Sequence, residues 1–323
     1  MRKIAILLLV SALVSAVVCA QQLLVFPAVT DELPGENDSL WVTVVRIVKV
    51  DPRDTVTIRR RWLCLPGGGS VDDPSPFTWV LEGGSVSDRF VSAWGDSLLG
   101  DSGSRVGAVA LEIDGGEVLA HAYVVDVLRG FHLPYAYSAG NGQLIPALSA
   151  PLTGTSHIPW LPGCRNVPCS VDPPEDWDFL RDNIGLLNPN PEPLVITGSL
   201  VAFSHFPGYG YIEISDPDTQ APETLTRELP PFGWVQFHWQ AGDTYGEAGF
   251  PPMPLSASGG FILNLTPDKD LPYYAYASVV FSPDPESGIP AFSDPMYVPA
   301  EPGYVPAMTE VPKASGSDSV SDR

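Results

Sequence analysis

The sequence predicts an all-β protein of two tandem antiparallel β-sandwich (immunoglobulin-like) domains behind an N-terminal signal peptide. Three observations carry that expectation. Helical periodicity is almost absent after residue 20. Short runs rich in Val, Ile, Thr and aromatics recur instead, separated by Gly/Pro/Asp/Ser clusters, which is the rhythm of strands and turns. The series then repeats at an offset of roughly 140–150 residues, right for a duplicated domain and too long for a solenoid unit.

At the N-terminus, Arg2 and Lys3 precede an apolar run over residues 4–18. Val18-Cys19-Ala20 then places small or permissive residues where a signal peptidase reads, so residues 1–20 are expected to be cleaved before Gln21. The run is short of the roughly 20 residues that a spanning helix needs. An uncleaved anchor and a lipid on Cys19 are the alternatives, Val18 being bulky for the second. No other segment reads as membrane-crossing. The expected localisation is secreted or cell-envelope, not membrane-spanning after signal cleavage.

Residues 21–150 form the first expected sandwich, with strand-like runs at 40–50, 55–65, 77–81, 106–113 and 118–127. Residues 151–174 hold six prolines and read as a semi-rigid linker, because proline is excluded from central strands. Cys164 and Cys169, four residues between them, are expected to close a small disulfide loop there, the chain being exported. Cys64 is then the odd cysteine, expected as a buried, inert thiol. Residues 175–301 form the second sandwich, with runs at 194–203, 210–214, 234–239, 260–265 and 273–281. Val235, Phe237 and Trp239 alternate with Trp234, Gln236 and His238, the two-residue period of a strand with one buried face. Residues 302–323 lose the apolar pattern and read as a disordered tail.

Landmarks recur between the halves. Asp51-Pro52 matches Asn188-Pro189, Pro66-Gly67-Gly68-Gly69 matches Pro207-Gly208-Tyr209-Gly210, and Ala122-Tyr123 matches Ala275-Tyr276. A single larger β-structure is the alternative to duplication. The segment Arg181-Asp182-Asn183-Ile184-Gly185-Leu186-Leu187-Asn188-Pro189 resembles the Arg-Thr-Asn-(Ile/Leu)-Gly-x-x-Asn-Pro motif that opens sandwich repeats in uncharacterised secreted bacterial proteins, with Asp182 in place of Thr. Tyr276-Ala277-Ser278-Val279-Val280 resembles the closing strand of those repeats, and Gln143-Leu144-Ile145-Pro146-Ala147 their Gly-Gln-x-Ile-Pro segment. The first copy has residues 44–51 where the Asn-rich motif would stand. The resemblance implies an exported bacterial sandwich protein and implies no activity.

Composition narrows the partners. A net charge of −21 with four lysines repels nucleic acid and anionic headgroups. Thirty-five prolines and 30 glycines beside 44% hydrophobic residues mark many turns around real cores. Gly100-Asp101-Ser102-Gly103-Ser104 resembles the nucleophile loop of chymotrypsin-type proteases, but no His precedes Ser102, as that chemistry requires, and a polar hairpin is expected. His121, His132, His157, His205 and His238 show no metal-ligand spacing. Asp216/Asp218 and Asp268/Asp270 lack a complete calcium loop and read as turn residues. Arg59-Arg60-Arg61 is the one basic run, expected to pair with neighbouring strands or to meet an anionic glycan. No cofactor is expected. Among the aromatics of the second sandwich, Trp234, Tyr273 and Tyr274 are the candidate ligand-binding residues, as a stacking platform for sugar rings, with core packing as the competing account.

These readings point to a non-enzymatic structural or adhesion-type protein. The alternatives are a carbohydrate-binding module, with or without Ca²⁺, and an extracellular hydrolase whose site is scattered in sequence. The partner is open, a glycan or a protein on the cell surface fitting equally.

Overall fold

The computed structural model describes residues 22–34, 40–69, 78–85, 87–91, 97–126, 131–132, 136–137, 142–162, 179–206, 210–214, 224–240, 259–282 and 296–304. The signal segment, Cys164, Cys169 and the tail beyond 304 lie outside them. Among the described residues there is no α-helix, and no helix long and apolar enough to cross a membrane.

The first half carries β1 (Gln22–Thr30), β2 (Leu33–Pro34), β3 (Leu40–Lys49), β4 (Val56–Cys64), β5 (Thr78–Leu81) and β6 (Ser87–Val91), then β7 (Val106–Asp114), β8 (Val118–Asp126), β9 (Phe131–His132), β10 (Ala136–Tyr137) and β11 (Gly142–Pro146). The second carries β12 (Ser156–Pro162), β13 (Phe179–Leu187), β14 (Leu194–Phe206), β15 (Gly210–Ile214) and β16 (Thr224–Leu229), then β17 (Trp234–Gln240), β18 (Gly259–Pro267), β19 (Tyr274–Ser282), β20 (Met296–Pro299) and β21 (Glu301–Pro302). Every strand ladder is antiparallel.

The strands form two sandwiches, as expected. Sheet I runs β1-β7-β4-β5 and sheet II runs β11-β8-β3-β2, with β6 also on β3. Sheet III runs β17-β13-β19-β20, and sheet IV runs β15-β14-β18-β12-β21, with β16 also on β14. Matching β1, β3, β4, β5, β6, β7, β8 and β11 with β12, β13, β14, β16, β17, β18, β19 and β20 reproduces every pairing among these strands, with β2–β3, β9–β10, β14–β15 and β12–β21 left without a counterpart. Sheet I therefore corresponds to sheet IV, and sheet II to sheet III. One landmark agrees, since Asp51 and Asn188 each follow the equivalent strand, β3 or β13; in the register that this sets, Tyr276 matches Leu119 and not Tyr123. This shared strand order supports a duplicated plan.

Each core follows from strand alternation. Val45 and Ile47 of β3 meet Phe26, Val56, Ile58, Val109, Leu111 and Ile113 between sheets II and I. Ile184, Leu186, Leu194, Ile196, Leu263, Leu265 and Tyr273 fill the space between sheets III and IV. One buried cation is part of the first sandwich. The Lys49 ammonium donates to the carbonyls of Pro52 (3.2 Å), Asp54 (2.6 Å) and Glu82 (2.6 Å), clamping the β3–β4 corner to the end of β5.

The expected 151–174 linker needs correction. Residues 156–162 are strand β12, paired with β18 and at one end with β21, despite Pro159 and Pro162. The register shifts between Ile158 and Leu161, so Pro159 falls at a bulge, where its missing N–H costs no ladder bond. The true passage between sandwiches is shorter and already paired: Leu148 bridges Val25 of β1, and Leu152 bridges Tyr273. A strap bonded to both units stands in place of the expected semi-rigid linker.

Candidate functional site

A third buried layer lies between the sandwiches, where the outer faces of sheets I and III meet. It gathers Val25, Trp62, Cys64, Ala108 and Ala110 from the first sandwich with Leu187, Phe232, Tyr274 and Tyr276 from the second. The four sheets thus stack in the order II, I, III, IV.

Local sequence explains why sheet I presents this face. On β4, Val56 and Ile58 point into the first core. A bulge between Arg60 and Trp62 then shifts the alternation by one residue, so Trp62 and Cys64 point outward to the second sandwich. On β7, Val109, Leu111 and Ile113 point inward and Ala108 and Ala110 outward. The two alanines leave depth for the large rings of β19. Further along the same face the small residues give way to Glu112 and Asp114, which pair with Arg61 (3.7 Å) and Arg59 (2.7 Å) in partly exposed ion pairs. Arg60 turns to the carbonyl of Leu98 at 2.9 Å. The basic run is thus paired with neighbouring segments of its own sandwich.

Sheet III supplies the rings. Tyr276 lies flat over β13 because position 185 is glycine; a Cβ there would overlap its ring. Its hydroxyl donates to Gln236 Oε1 at 2.8 Å, and its ring stacks on Tyr297 at 5.4 Å between centroids. Tyr274 leans on Trp62 at 6.3 Å. Burial pushes Tyr274 up to about 12, helped by neighbouring Cys64, and holds Tyr276 and Tyr297 well above the usual tyrosine range.

Polar bonds stitch the layer. Leu65 N–H donates to the Phe232 carbonyl and Trp234 N–H to the Leu65 carbonyl, both at 3.0 Å, so backbone pairing runs directly between the sandwiches. The Trp234 indole N–H donates to the Pro27 carbonyl at 2.8 Å. The Cys64 thiol sits 3.4 Å from the Asn188 carbonyl, and burial pushes its pKa up. Asn188 is itself fully buried. Its amide donates to the carbonyls of Glu192 and Pro230 (2.7 and 2.9 Å), and its Oδ1 accepts from Asn190 Nδ2 at 2.7 Å. At one rim Ser278 donates to Gln143 Oε1 across the sandwiches at 2.8 Å.

The candidate platform is corrected by this geometry. Tyr273 is buried in the second core, its hydroxyl bonded to Ser156 Oγ (2.6 Å) and the Gly154 carbonyl (3.0 Å). Tyr274 is buried in the inter-sandwich layer, and Trp234 packs against that layer while bonded to Pro27. Tyr273 and Tyr274 offer no free ring face to solvent, and Trp234 is partly buried with its indole N–H turned to the first sandwich. The other candidates among the described residues are dispersed. Ser102 ends a 3-10 turn, Gly100–Ser102, and its hydroxyl accepts from Ser104 N–H at 3.2 Å, with Gly103 supplying the left-handed φ of 72°. Asp268 Oδ1 accepts from Val195 N–H at 2.8 Å, a turn role. His157 lies 3.9 Å from Glu301. Burial lowers the His121 pKa, assisted by Arg46. Asp216 and Asp218 lie outside the described residues, and so do the side chains of His132, His205 and His238. Among the described residues no three His, Cys, Asp or Glu side chains converge as metal ligands.

The residues that sequence reasoning missed are those of the joint: Trp62, Ala108, Ala110 and Phe232, with Leu187 quoted in a motif but given no role. Gly185, Asn188, Tyr276 and Gln143 stood in the quoted motifs but had no role assigned.

No protein-family model matches the chain, and no curated protein is significantly similar to it. Among solved structures, the chain is similar to the N-terminal CBM22-1–CBM22-2 tandem domain of Paenibacillus barcinonensis Xyn10C, at 13% identity over 75% of this chain and 82% of that one, with a TM-score of 0.19. At that score nothing about fold or ligand passes to this chain.

Proposed function

We propose that this is an exported, non-enzymatic structural protein of the bacterial envelope or secreted fraction, in which two sandwiches act as one rigid block. The observation that carries the reading is the joint itself. An apolar layer, direct backbone pairing from Leu65 to the Phe232–Trp234 segment, and side-chain bonds at both rims resist hinge motion. The leader-like N-terminus and the acidic composition fit a place outside the cytoplasm. Of the residues proposed for sugar stacking, Tyr274 and Trp234 hold this joint and Tyr273 fills the second core, which leaves the carbohydrate reading without its named platform.

Two measurements test the proposal on the chain from Gln21 onward. Calorimetric unfolding is expected to show one cooperative transition, with calorimetric and van't Hoff enthalpies equal. Two separated transitions would sink the rigid block. A glycan array with and without Ca²⁺, beside a panel of esterase, protease and glycosidase substrates, is expected to be blank. Reproducible glycan binding or turnover would replace the structural reading.

A further inference from the structure

The contact between the two sandwiches joins unlike faces: sheet I of the first meets sheet III of the second, and sheet III corresponds to sheet II. One face of each kind is therefore left over, the outer face of sheet II at one end of the stack and that of sheet IV at the other. We propose that the outer face of sheet II docks the outer face of sheet IV of a second copy of this chain, so that molecules stack head to tail.

Equivalent positions carry the proposal. In sheet III, Leu187 pairs with Tyr274 and Gly185 with Tyr276; in sheet II, the Val50 N–H bonds the Glu117 carbonyl and Val48 pairs with Leu119. Val50 thus stands where Leu187 stands, and Leu119 where Tyr276 stands. Leu187 and Tyr276 are buried against the first sandwich. Their counterparts are exposed: Val50 by 54% and Leu119 by 66%, with Leu144 on neighbouring β11 at 48%.

These side chains point away from their own core. Val45, Ile47, Val118 and Ala122 fill it, so strand alternation turns Val48, Val50 and Leu119 outward. Val42 and Val44 on the same face are buried, and exposed Arg46 separates them from Val48, so Val50 and Leu119 form one open apolar patch at the end that matches the joint within the chain, and Leu144, beside Tyr123, stands apart.

The opposite face fits the role. Leu194 and Ile196 point into the second core, so Val195, Thr197 and Ser199 of β14 face outward, with Ile262 of β18. All four are partly exposed and none is charged, although the chain carries a net charge of −21. Neighbouring Asn264 is buried between its register partners Ser199 and His157. The face also carries exposed Glu228, the register partner of Val195, and Glu301, paired with His157, whereas the outer face of sheet II carries exposed Arg46, so the charges at the two faces are opposite in sign. Unlike faces in contact do not satisfy each other within a pair, so the assembly is an open stack or a ring, not a closed dimer. Like-charged copies repel, so association strengthens with salt.

This deepens the structural reading by naming the partner. A monomer in the experiment below sinks the stacking alone, whereas split unfolding or turnover sinks the structural role. The experiment is sedimentation velocity on the chain from Gln21 onward, from micromolar to millimolar, at low and high salt. Expected is a mass that climbs past two copies with concentration and climbs further in salt. Leu119→Glu and Thr197→Lys are each expected to stay monomeric with unchanged urea midpoints, Ser199→Lys standing in if Thr197→Lys shifts its midpoint. Mixing the two variants is the decisive arm. Each keeps one good face, so the mixture forms a one-to-one dimer that grows no further. Monomers at every wild-type concentration, a wild-type mass that saturates at two copies, or association indifferent to Leu119→Glu would each overturn the proposal.

Discussion

The indole N–H of Trp234 donates to the carbonyl of Pro27 at 2.8 Å, across 207 positions of chain and between two separately cored sandwiches. The acceptor is available because β1 bulges between Phe26 and Val29, which takes the Pro27 carbonyl out of the ladder with β7. Trp234→Phe keeps most of the ring and removes the donor. The expected loss is about 1 kcal/mol, the net worth of one partly buried hydrogen bond. A urea midpoint that does not move would show that water replaces the indole.

Trp62 carries more of the joint, because its whole ring is buried against the second sandwich. Trp62→Ala is expected to cost about 3 kcal/mol, the lower end for truncating a buried large aromatic. Calorimetry is then expected to resolve two transitions where the wild type shows one. A destabilised protein that still unfolds in one step would place the coupling in the backbone bonds of Leu65 instead.

Gly185 is the register partner of Tyr276, and its missing Cβ leaves the space that the ring fills. Gly185→Ala is expected to destabilise by about 1–3 kcal/mol, as overpacking does. In the Tyr276→Leu background the same change is expected to cost less, since the ring that it strikes is gone. Equal costs in both backgrounds would mean that the strain lies in the backbone of β13.

The tyrosines set an alkaline limit. Unfolded tyrosines ionise near about 10. Tyr274 is pushed up to about 12, with Tyr276 and Tyr297 also raised by burial. Their folded values lie above the unfolded ones, so the stability they protect is complete below pH 10 or so and drains away as pH rises toward 12. Urea midpoints are expected to fall across that window, with the last tyrosinate absorbance appearing together with the loss of circular dichroism. Full ionisation with a native spectrum would contradict the burial. Cys64 gives a second handle, because burial raises its pKa too. It is expected to resist iodoacetamide until urea unfolds the chain.

Lys49 holds three carbonyls with one buried ammonium. Lys49→Met keeps the stem and strands those acceptors, an expected cost on the order of 3 kcal/mol, read from the denaturation midpoint. A neutral result would mean that water enters the corner.

The chemistry of the chain made part of this legible. Alternation such as Val235/Phe237 and turn clusters every few residues announce strands whatever their neighbours. The recurrence of Asp51-Pro52 and Asn188-Pro189 announced the repeat. The 151–174 segment misled because proline content speaks about ladder bonds, whereas Pro159 sits at a bulge that asks for none.

What the sequence by itself determined is which residues form strands and which face of each strand is apolar, because both follow from local alternation and turn chemistry. What only the tertiary structure decided is what each apolar face meets. Tyr273 and Tyr274 are adjacent in sequence and alike in chemistry, yet one fills a core and the other seals the joint. Ala108 and Ala110 became a socket only once the rings of β19 lay opposite. Burial is a property of pairs of surfaces, and the second surface lies more than a hundred residues away along the chain.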